Sequence, residues 1–345
     1  MKHRPREQKQ PTGKRIDLMS TSAKIFRAIQ EHPNIDTNHL VDLLELQMSE
    51  SWVKRCLKDY FHEKHKEYGH LLDRPKEQYI HGNKAFRPVL HNLNANSEKY
   101  LEDIGYPQLL RHPRSPSFKH IVLENRIAAA FRIACQRSSA HRFLSPEFLI
   151  DRFTLPAEKS VPEMPFRFDV TINTEEGPLP TTVTPDWRGI FGIQYLQHSI
   201  CVALEADCAT ERNETKKYKN VRSIKKLFMQ WIKVFDEQLY RKQLGFPNLF
   251  VTIVTTNATK KQNMMEVLRN LTEGEGKKYF LFKAVESFTD YFNSPLPNPQ
   301  MFHEPWDRVG HEPFYLSTLS ETPPELSLHE QYQRLKTHGR ELEGV

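Results

Sequence analysis

The chain has 345 residues, of which 38% are hydrophobic and 27% charged, and its formal net charge is +6. That length suits two domains of ordinary size, and no apolar run approaches the roughly 20 residues of a membrane-spanning helix, so no membrane partner is expected. Four scattered cysteines (Cys56, Cys135, Cys201, Cys208) without a CxxC pair argue against a disulfide framework or a zinc site, and a basic N-terminus with no apolar segment after it argues against a secretory leader; a cytoplasmic protein with reduced thiols is expected.

The charge excess falls early. Residues 1–120 hold about 21 Lys and Arg against about 15 Asp and Glu, and the rest is close to balanced. A basic first third points to a polyanionic partner there. Residues 1–15 have almost nothing to bury and are expected to be a disordered basic tail. Three helical patterns follow within 16–104. The first is capped by Ser20 or Thr21 and carries Ile25, Phe26 and Ile29 on one face. The second has Asp36 as N-cap, then Leu40, Val41, Leu43 and Leu44. The third is capped by Ser49 or Ser51 and turns Val53, Cys56, Leu57, Tyr60 and Phe61 inward. Its other face carries Ser51, Lys54, Arg55 and Lys58. "GHLLDR" and "RPVLHNL" read as strands around a polar tip, and "NANSEKYLEDIG" closes the unit as a capped helix. Three helices, a hairpin and a final helix give the order of a winged helix-turn-helix, with the third helix in the major groove of double-stranded DNA. Lys76, Lys84 and Arg87 on the wing would reach phosphates, which position without specifying sequence.

A proline-rich joint at 105–118 leads into a second domain over 119–290. "KHIVLENRIAAAFRIACQR" predicts a long helix with Leu123, Ile127, Ala130, Phe131 and Ala134 toward a core. "HRFLSPEF" allows a short strand and "PFRFDVTI" alternates as one. "TTVTPDWRGIFGIQ" and "HSICVALEADC" predict two more, joined near Tyr195–His198. The segment from Thr215 to Lys242 predicts the longest helix, with a stripe of Val221, Ile224, Leu227, Phe228, Trp231, Ile232 and Phe235. "NLFVTIVTTN" is apolar enough to be a strand buried on both faces of a mixed or parallel sheet. A helix over "TKKQNMMEVLRNLT" and a last strand at "KYFLFKAVESF" complete the domain, and 291–345 is expected to be an irregular tail with poor order beyond Pro323. Gly189 and Gly192 read as turn or strand-packing residues, since no GxGxxG or P-loop is present.

Within this α/β (α+β) layout the acids of one stretch stand out. Asp186 follows a proline, and Glu205 and Asp207 end a strand whose Ile200, Val202 and Leu204 alternate. Residues i and i+2 of a strand share a face, and Asp186 on the adjoining strand can meet Glu205 across the sheet. Carboxylates converging at a strand end favour a hard divalent ion, Mg²⁺ or Mn²⁺, able to polarise a phosphodiester. Glu124 in the first helix is a further candidate ligand. Helix, three strands, helix, strand is the αβββαβ order of restriction-endonuclease-like domains, whose PD-(D/E)xK pattern usually places Lys where Asp207 stands. Lys216, Lys217 or Lys219, or Lys225 or Lys226 on the next helix, would supply the positive charge; otherwise hydrolysis is lost. A Tyr nucleophile is not assigned: Tyr195 and Tyr218 are equally suited to structural roles.

The chain resembles the replication-relaxation proteins, relatives of MobC-type mobilisation relaxases, through Pro185-Asp186, Glu205-Ala206-Asp207, Thr210-Glu211, Lys225-Lys226, "RPVLHNLNANSEKYL" and "FKHIVLENRI" with His120, over roughly Ala23 to Leu316. The resemblance implies a winged helix joined to an endonuclease-like domain, in a protein that processes plasmid, phage or integrative-element DNA by origin recognition and metal-dependent nicking, in mobilisation or replication initiation. Relaxosome or replication proteins and a second copy of the chain are the implied partners. The alternative expectation is a non-catalytic replication or transcription factor, or a relaxosome scaffold, with a vestigial nuclease fold.

Overall fold

The computed structural model describes residues 8–44, 48–79, 89–110, 117–153, 163–208, 212–213, 223–289 and 295–324. The fold is mixed α/β and divides into two compact units, Met1–Ala129 with Glu286–Pro297, and Ala130–Val285 with Asn298–Val345.

In the first unit, α1 (Ser20–Glu31) buries Ile25, Phe26 and Ile29, the face its spacing predicts. The Phe26 ring meets Tyr60 and Tyr100 edge-on at 5.0 and 5.8 Å. After it come β1 (Ile35–Asp36), α2 (Thr37–Leu44), α3 (Glu50–His62), β2 (Leu72–Asp73), β3 (Leu90–Leu93) and α4 (Ala95–Asp103). β3 is central to a three-stranded antiparallel sheet, with Ile35 opposite His91 and Leu72 opposite Leu93. β1 is an addition to the expected elements, because two residues are too few to show alternation. Asn94 caps α4, accepting from the Asn96 and Ser97 amides.

Asp36 does cap α2, accepting from the His39 amide at 3.2 Å, and it does more. Fully buried, it also meets His39 Nδ1 at 3.0 Å, and Arg126 Nε donates to its Oδ2 at 3.1 Å. Burial alone would raise this carboxyl, but the bonds and charge of His39, with Arg126, hold it well below the usual carboxylate range. Arg126 lies on α5 (Phe118–Gln136), and its Nη1 also donates to the Phe288 carbonyl at 2.9 Å. The His91 ring is buried, which pushes its pKa down to about 3.

Residues 8–15, expected to lack order, are tied down by polar rather than apolar contacts. The Glu63 carboxylate, itself buried, accepts from the Thr12 amide and hydroxyl and from the Gly13 amide at 2.8–3.1 Å. Lys9 pairs with Asp73 at 2.6 Å, and Lys14 pairs with Asp59.

The second unit is built on a seven-stranded mixed sheet in the order β12-β11-β10-β9-β8-β7-β4. Its strands are β4 (His141–Leu144), β7 (Ile190–Tyr195), β8 (His198–Asp207), β9 (Phe250–Thr255), β10 (Phe280–Ala284), β11 (Trp306–Arg308) and β12 (His311–Phe314). β4, β7 and β8 run as an antiparallel meander; β9 is parallel to both β8 and β10, as its unbroken apolar run predicts. Between β4 and β7 the chain forms α6 (Pro146–Phe153) and a separate two-stranded hairpin, β5 (Phe168–Thr174) and β6 (Gly177–Val183). The "PFRFDVTI" strand therefore exists but lies outside the main sheet. "TTVTPDWRGIFGIQ" is not one strand: it ends β6, turns at Asp186–Gly189 and begins β7.

The remaining helices are α7 (Ile224–Asp236), α8 (Leu239–Leu244) and α9 (Ala258–Leu271). Among described residues α5, with 19 residues, exceeds the 13 of α7, the reverse of the expectation. The buried stripe of α7 is Ile224, Phe228, Trp231 and Val234, with Gln230; Leu227, Ile232 and Phe235 are only half-buried. Gln230 explains its own burial, donating to Thr181 Oγ1 and the Thr182 carbonyl at 2.9 and 2.8 Å. The expected irregular tail instead supplies β11 and β12, which extend the sheet and bury Trp306. Residues 325–345 lie outside the described residues. Cys135 and Cys201 are free buried thiols whose pKa burial pushes up to about 12. No helix among the described residues is long and apolar enough to cross a membrane.

Candidate functional site

Asp186, Glu205 and Asp207 all lie at one end of β8. Asp186 sits in the turn ahead of β7 rather than on the strand. Its amide donates to the Leu204 carbonyl at 2.8 Å, and its Oδ2 accepts from the Ala206 amide at 2.7 Å. Asp186 thus grips β8 on both sides of Glu205. Its own carbonyl accepts from Gly189 at 3.3 Å, closing a tight turn in which Trp187 has φ +56°. A left-handed non-glycine residue carries a backbone cost and needs its surroundings to hold it. Gly189 has φ +109°, and a Cβ there would stand 2.1 Å from the Phe166 ring. The turn that presents Asp186 therefore depends on that glycine.

Glu205 and Asp207 share a face of β8 and are 8% and 4% exposed. The indole N–H of Trp231 on α7 donates to Glu205 Oε1 at 2.8 Å, and the Thr255 hydroxyl at the end of β9 donates to Asp207 Oδ2 at 3.3 Å. α7 accordingly covers the Glu205 face. The last turns of α5 cover the opposite one: Phe131 contacts Phe191 and Trp306 at 5.3 and 5.9 Å, and Phe191 pairs with Val202, three residues out of phase with Glu205. Trp231 and Thr255 were not singled out from sequence. A Trp in an apolar stripe reads as packing, and its N–H partner is set only by tertiary structure.

Lys225 and Lys226 occupy the first turn of α7, half-buried, six and five residues before Trp231. Ser223 caps that turn by accepting from the Lys226 amide at 3.2 Å, and the Lys225 amide donates to the Asn213 carbonyl at 3.0 Å. Lys216, Lys217, Lys219, Tyr218, Thr210 and Glu211 lie outside the described residues. Glu124 is on α5 in the first unit, 3.8 Å from His120 one turn before it. Tyr195 sits at the far end of β7, opposite His198 and stacked on His141 at 4.8 Å. Six residues of β8 separate that pair from Leu204, about 20 Å, so Tyr195 is remote from the carboxylates.

In the first unit, Ser51, Lys54, Arg55 and Lys58 are all exposed on α3, opposite the buried Val53, Leu57, Tyr60 and Phe61; Cys56, expected inward, is half-buried. Lys54 pairs with Glu50 one turn earlier. Lys76 is exposed on a 3₁₀ turn, Lys76–Tyr79, while Lys84 and Arg87 fall outside the described residues.

The donor set at the β8 end is all hard oxygen, the chemistry Mg²⁺ or Mn²⁺ prefers over sulfur- or nitrogen-seeking metals. Each carboxylate has several lone-pair positions, so accepting these hydrogen bonds is compatible with ligation. Comparison of the chain with protein-family models, with curated proteins and with solved structures returned no match.

Proposed function

We propose that this chain is a DNA-binding, metal-dependent DNA nickase or relaxase-like protein of a plasmid, phage or integrative element. One observation carries the reading: the Asp186 turn is latched to β8 on either side of Glu205, with Asp207 two residues on. Setting aside α6, the β5–β6 hairpin and α8, the chain order is α5, β4, β7, β8, α7, β9, with β9 parallel to β8. That supports an endonuclease-like core with the hairpin as an insertion. The three-stranded β1-β3-β2 sheet with α1 to α3 supports a winged helix.

In this reading α3 enters the major groove of an origin-like site, with Lys54, Arg55 and Lys58 toward the duplex and Ser51 and Lys76 beside them. Asp186, Glu205 and Asp207 hold Mg²⁺ or Mn²⁺. When bound, the ion supplies Lewis-acid polarisation of the scissile phosphate and a more acidic water. Trp231 and Thr255 fix the carboxylate rotamers, and Lys225 or Lys226 offsets developing negative charge. The partners are double-stranded DNA and, as further proposals, relaxosome or replication proteins and a second copy of the chain.

Supercoiled origin-bearing DNA is expected to convert to open circles with Mg²⁺ or Mn²⁺, and Asp186→Ala or Glu205→Ala to stop this with DNA binding intact. Charge reversal of Lys54, Arg55 and Lys58 to Glu is expected to abolish a duplex gel shift. Failure to nick any origin-bearing substrate, with binding retained, supports the second reading, a non-catalytic DNA-binding factor or scaffold. That reading is favoured by Asp207, an acid hydrogen-bonded by Thr255 where the pattern usually has lysine.

A further inference from the structure

One row of α3 changes sign along its length as it passes from exposed to half-buried. Residues four apart on a helix stack in one row, and here that row is Ser51, Arg55 and Asp59, with Glu63 next beyond the helix end. Asp73, at the end of β2, adds a third carboxylate to the same unit. Left bare, Asp59 and Asp73 would set two negative charges on the unit that carries the cations the DNA-binding reading needs, and like charge against a phosphate backbone opposes association.

The segment before α1 meets all three. Lys14 pairs with Asp59 and Lys9 with Asp73, while Thr12 and Gly13 close around Glu63. The Gln10 amide adds a bond to His62 Nδ1 at 3.1 Å, at the last residue of α3. The donors on Glu63 are two backbone amides and a hydroxyl of a chain with a left-handed glycine, φ +82° at Gly13, so the grip depends on the path of the chain as well as its charge. The bonds from Thr12, first from its amide and then its hydroxyl, and from Gly13 hold the Glu63 carboxyl below the usual carboxylate range.

We infer that residues 9–14 are a charge mask: docked on α3 through Glu63, they neutralise Asp59 with Lys14 and Asp73 with Lys9 and so let α3 approach the phosphates of duplex DNA. The inference rests on the DNA-binding reading above. It assigns the segment a partner, the duplex, and a role that is indirect: its cations are spent on the protein's own carboxylates rather than on phosphates.

Gly13→Pro tests this in the full chain. It deletes one amide donor to Glu63 and cannot adopt φ +82°, yet leaves every charge of the segment in place. Fluorescence anisotropy on a labelled duplex at low salt is expected to show about tenfold weaker binding, with faster amide exchange over residues 9–14 and an unchanged thermal midpoint. Adding Asp59→Asn and Asp73→Asn to Gly13→Pro is expected to restore affinity to within about twofold, because the charges to be masked are then gone. Wild-type affinity in Gly13→Pro with exchange accelerated, or no rescue by the added substitutions in a folded protein, overturns the mask; the second result would mean the segment's cations touch DNA directly. A wild-type chain that binds no duplex defeats the DNA-binding reading itself, before the segment is altered.

Discussion

Asp36 in the first unit and Glu205 in the second are both carboxylates buried at a strand end, but they are met differently. Asp36 is met by the Arg126 guanidinium and by His39, groups that answer its charge. Glu205 accepts from the indole of Trp231 and Asp207 from the hydroxyl of Thr255, donors that fix the rotamer of a carboxylate. An acid answered by a cation fastens elements together. An acid whose rotamer is fixed by such a donor is presented in one direction, which in the proposed function is toward a divalent ion.

If that contrast is right, Asp36→Ala is the most damaging of the tests. It leaves the buried Arg126 without its carboxylate, and a broken buried pair costs about 3–5 kcal/mol. Urea unfolding followed by amide exchange in the first unit measures it; a loss under about 1 kcal/mol would remove Asp36 from the fastening role. Acid comes next. His91 is held neutral by burial, with a pKa of about 3 against an ordinary 6.5. Between those values the unfolded chain takes up a proton that the folded one refuses. This contribution is therefore full above pH 6.5 and lost as pH falls, at about 1.4 kcal/mol per pH unit, or ~3 kcal/mol by pH 4.5. His303 in the second unit, at about 4, gives the same sign over a narrower window. The pH dependence of the urea midpoint in His91→Asn is expected to be flatter than in the wild type; an identical slope assigns the loss elsewhere.

Trp231→Phe keeps a ring against Phe168 but removes the donor to Glu205, an expected cost of about 1.5–3 kcal/mol for a hydrogen bond to a charged group. Calorimetric titration with Mn²⁺ is expected to weaken about 10- to 100-fold as well, because a ligand's outer partner has been taken away. Unchanged Mn²⁺ affinity would make Trp231 a packing residue only. The smallest effect on folding is expected from Glu205→Gln, within about 1 kcal/mol of wild type in either direction, since sites kept for function are rarely optimised for stability. A loss as large as that of Asp36→Ala would place Glu205 with the fastening acids and erase the distinction.

Much of this layout is legible in the sequence, and what escapes does so for identifiable reasons. The faces of α1 and α3, the Asn94 cap and the double burial of β9 follow from local spacing and composition. The approach of Asp186 to the Glu205 end of β8 follows as well, although Asp186 stands in a turn and not on the adjoining strand where the spacing predicts it. The hairpin β5–β6 escapes because alternation gives a strand its faces without naming the sheet it joins. β11 and β12 escape because "WDRVGHEPF" is short and its turn, Val309-Gly310, hides among the prolines of the tail. Docking of residues 8–15 escapes because composition measures apolar burial, and this segment is held by Glu63 and ion pairs instead.

The route by which β8 acquires its neighbours sets an order of assembly. β7 and β8 are joined by the two-residue turn Leu196–Gln197, so they and the Asp186 latch close through short loops. Trp231 and Thr255 arrive from 26 and 48 residues further along, the second through parallel pairing that must wait for α7. Long loops close later than short ones. A chain emerging from the ribosome would thus gather its three carboxylates well before it acquires the two donors that aim them, and an immature form would hold the acids without their alignment.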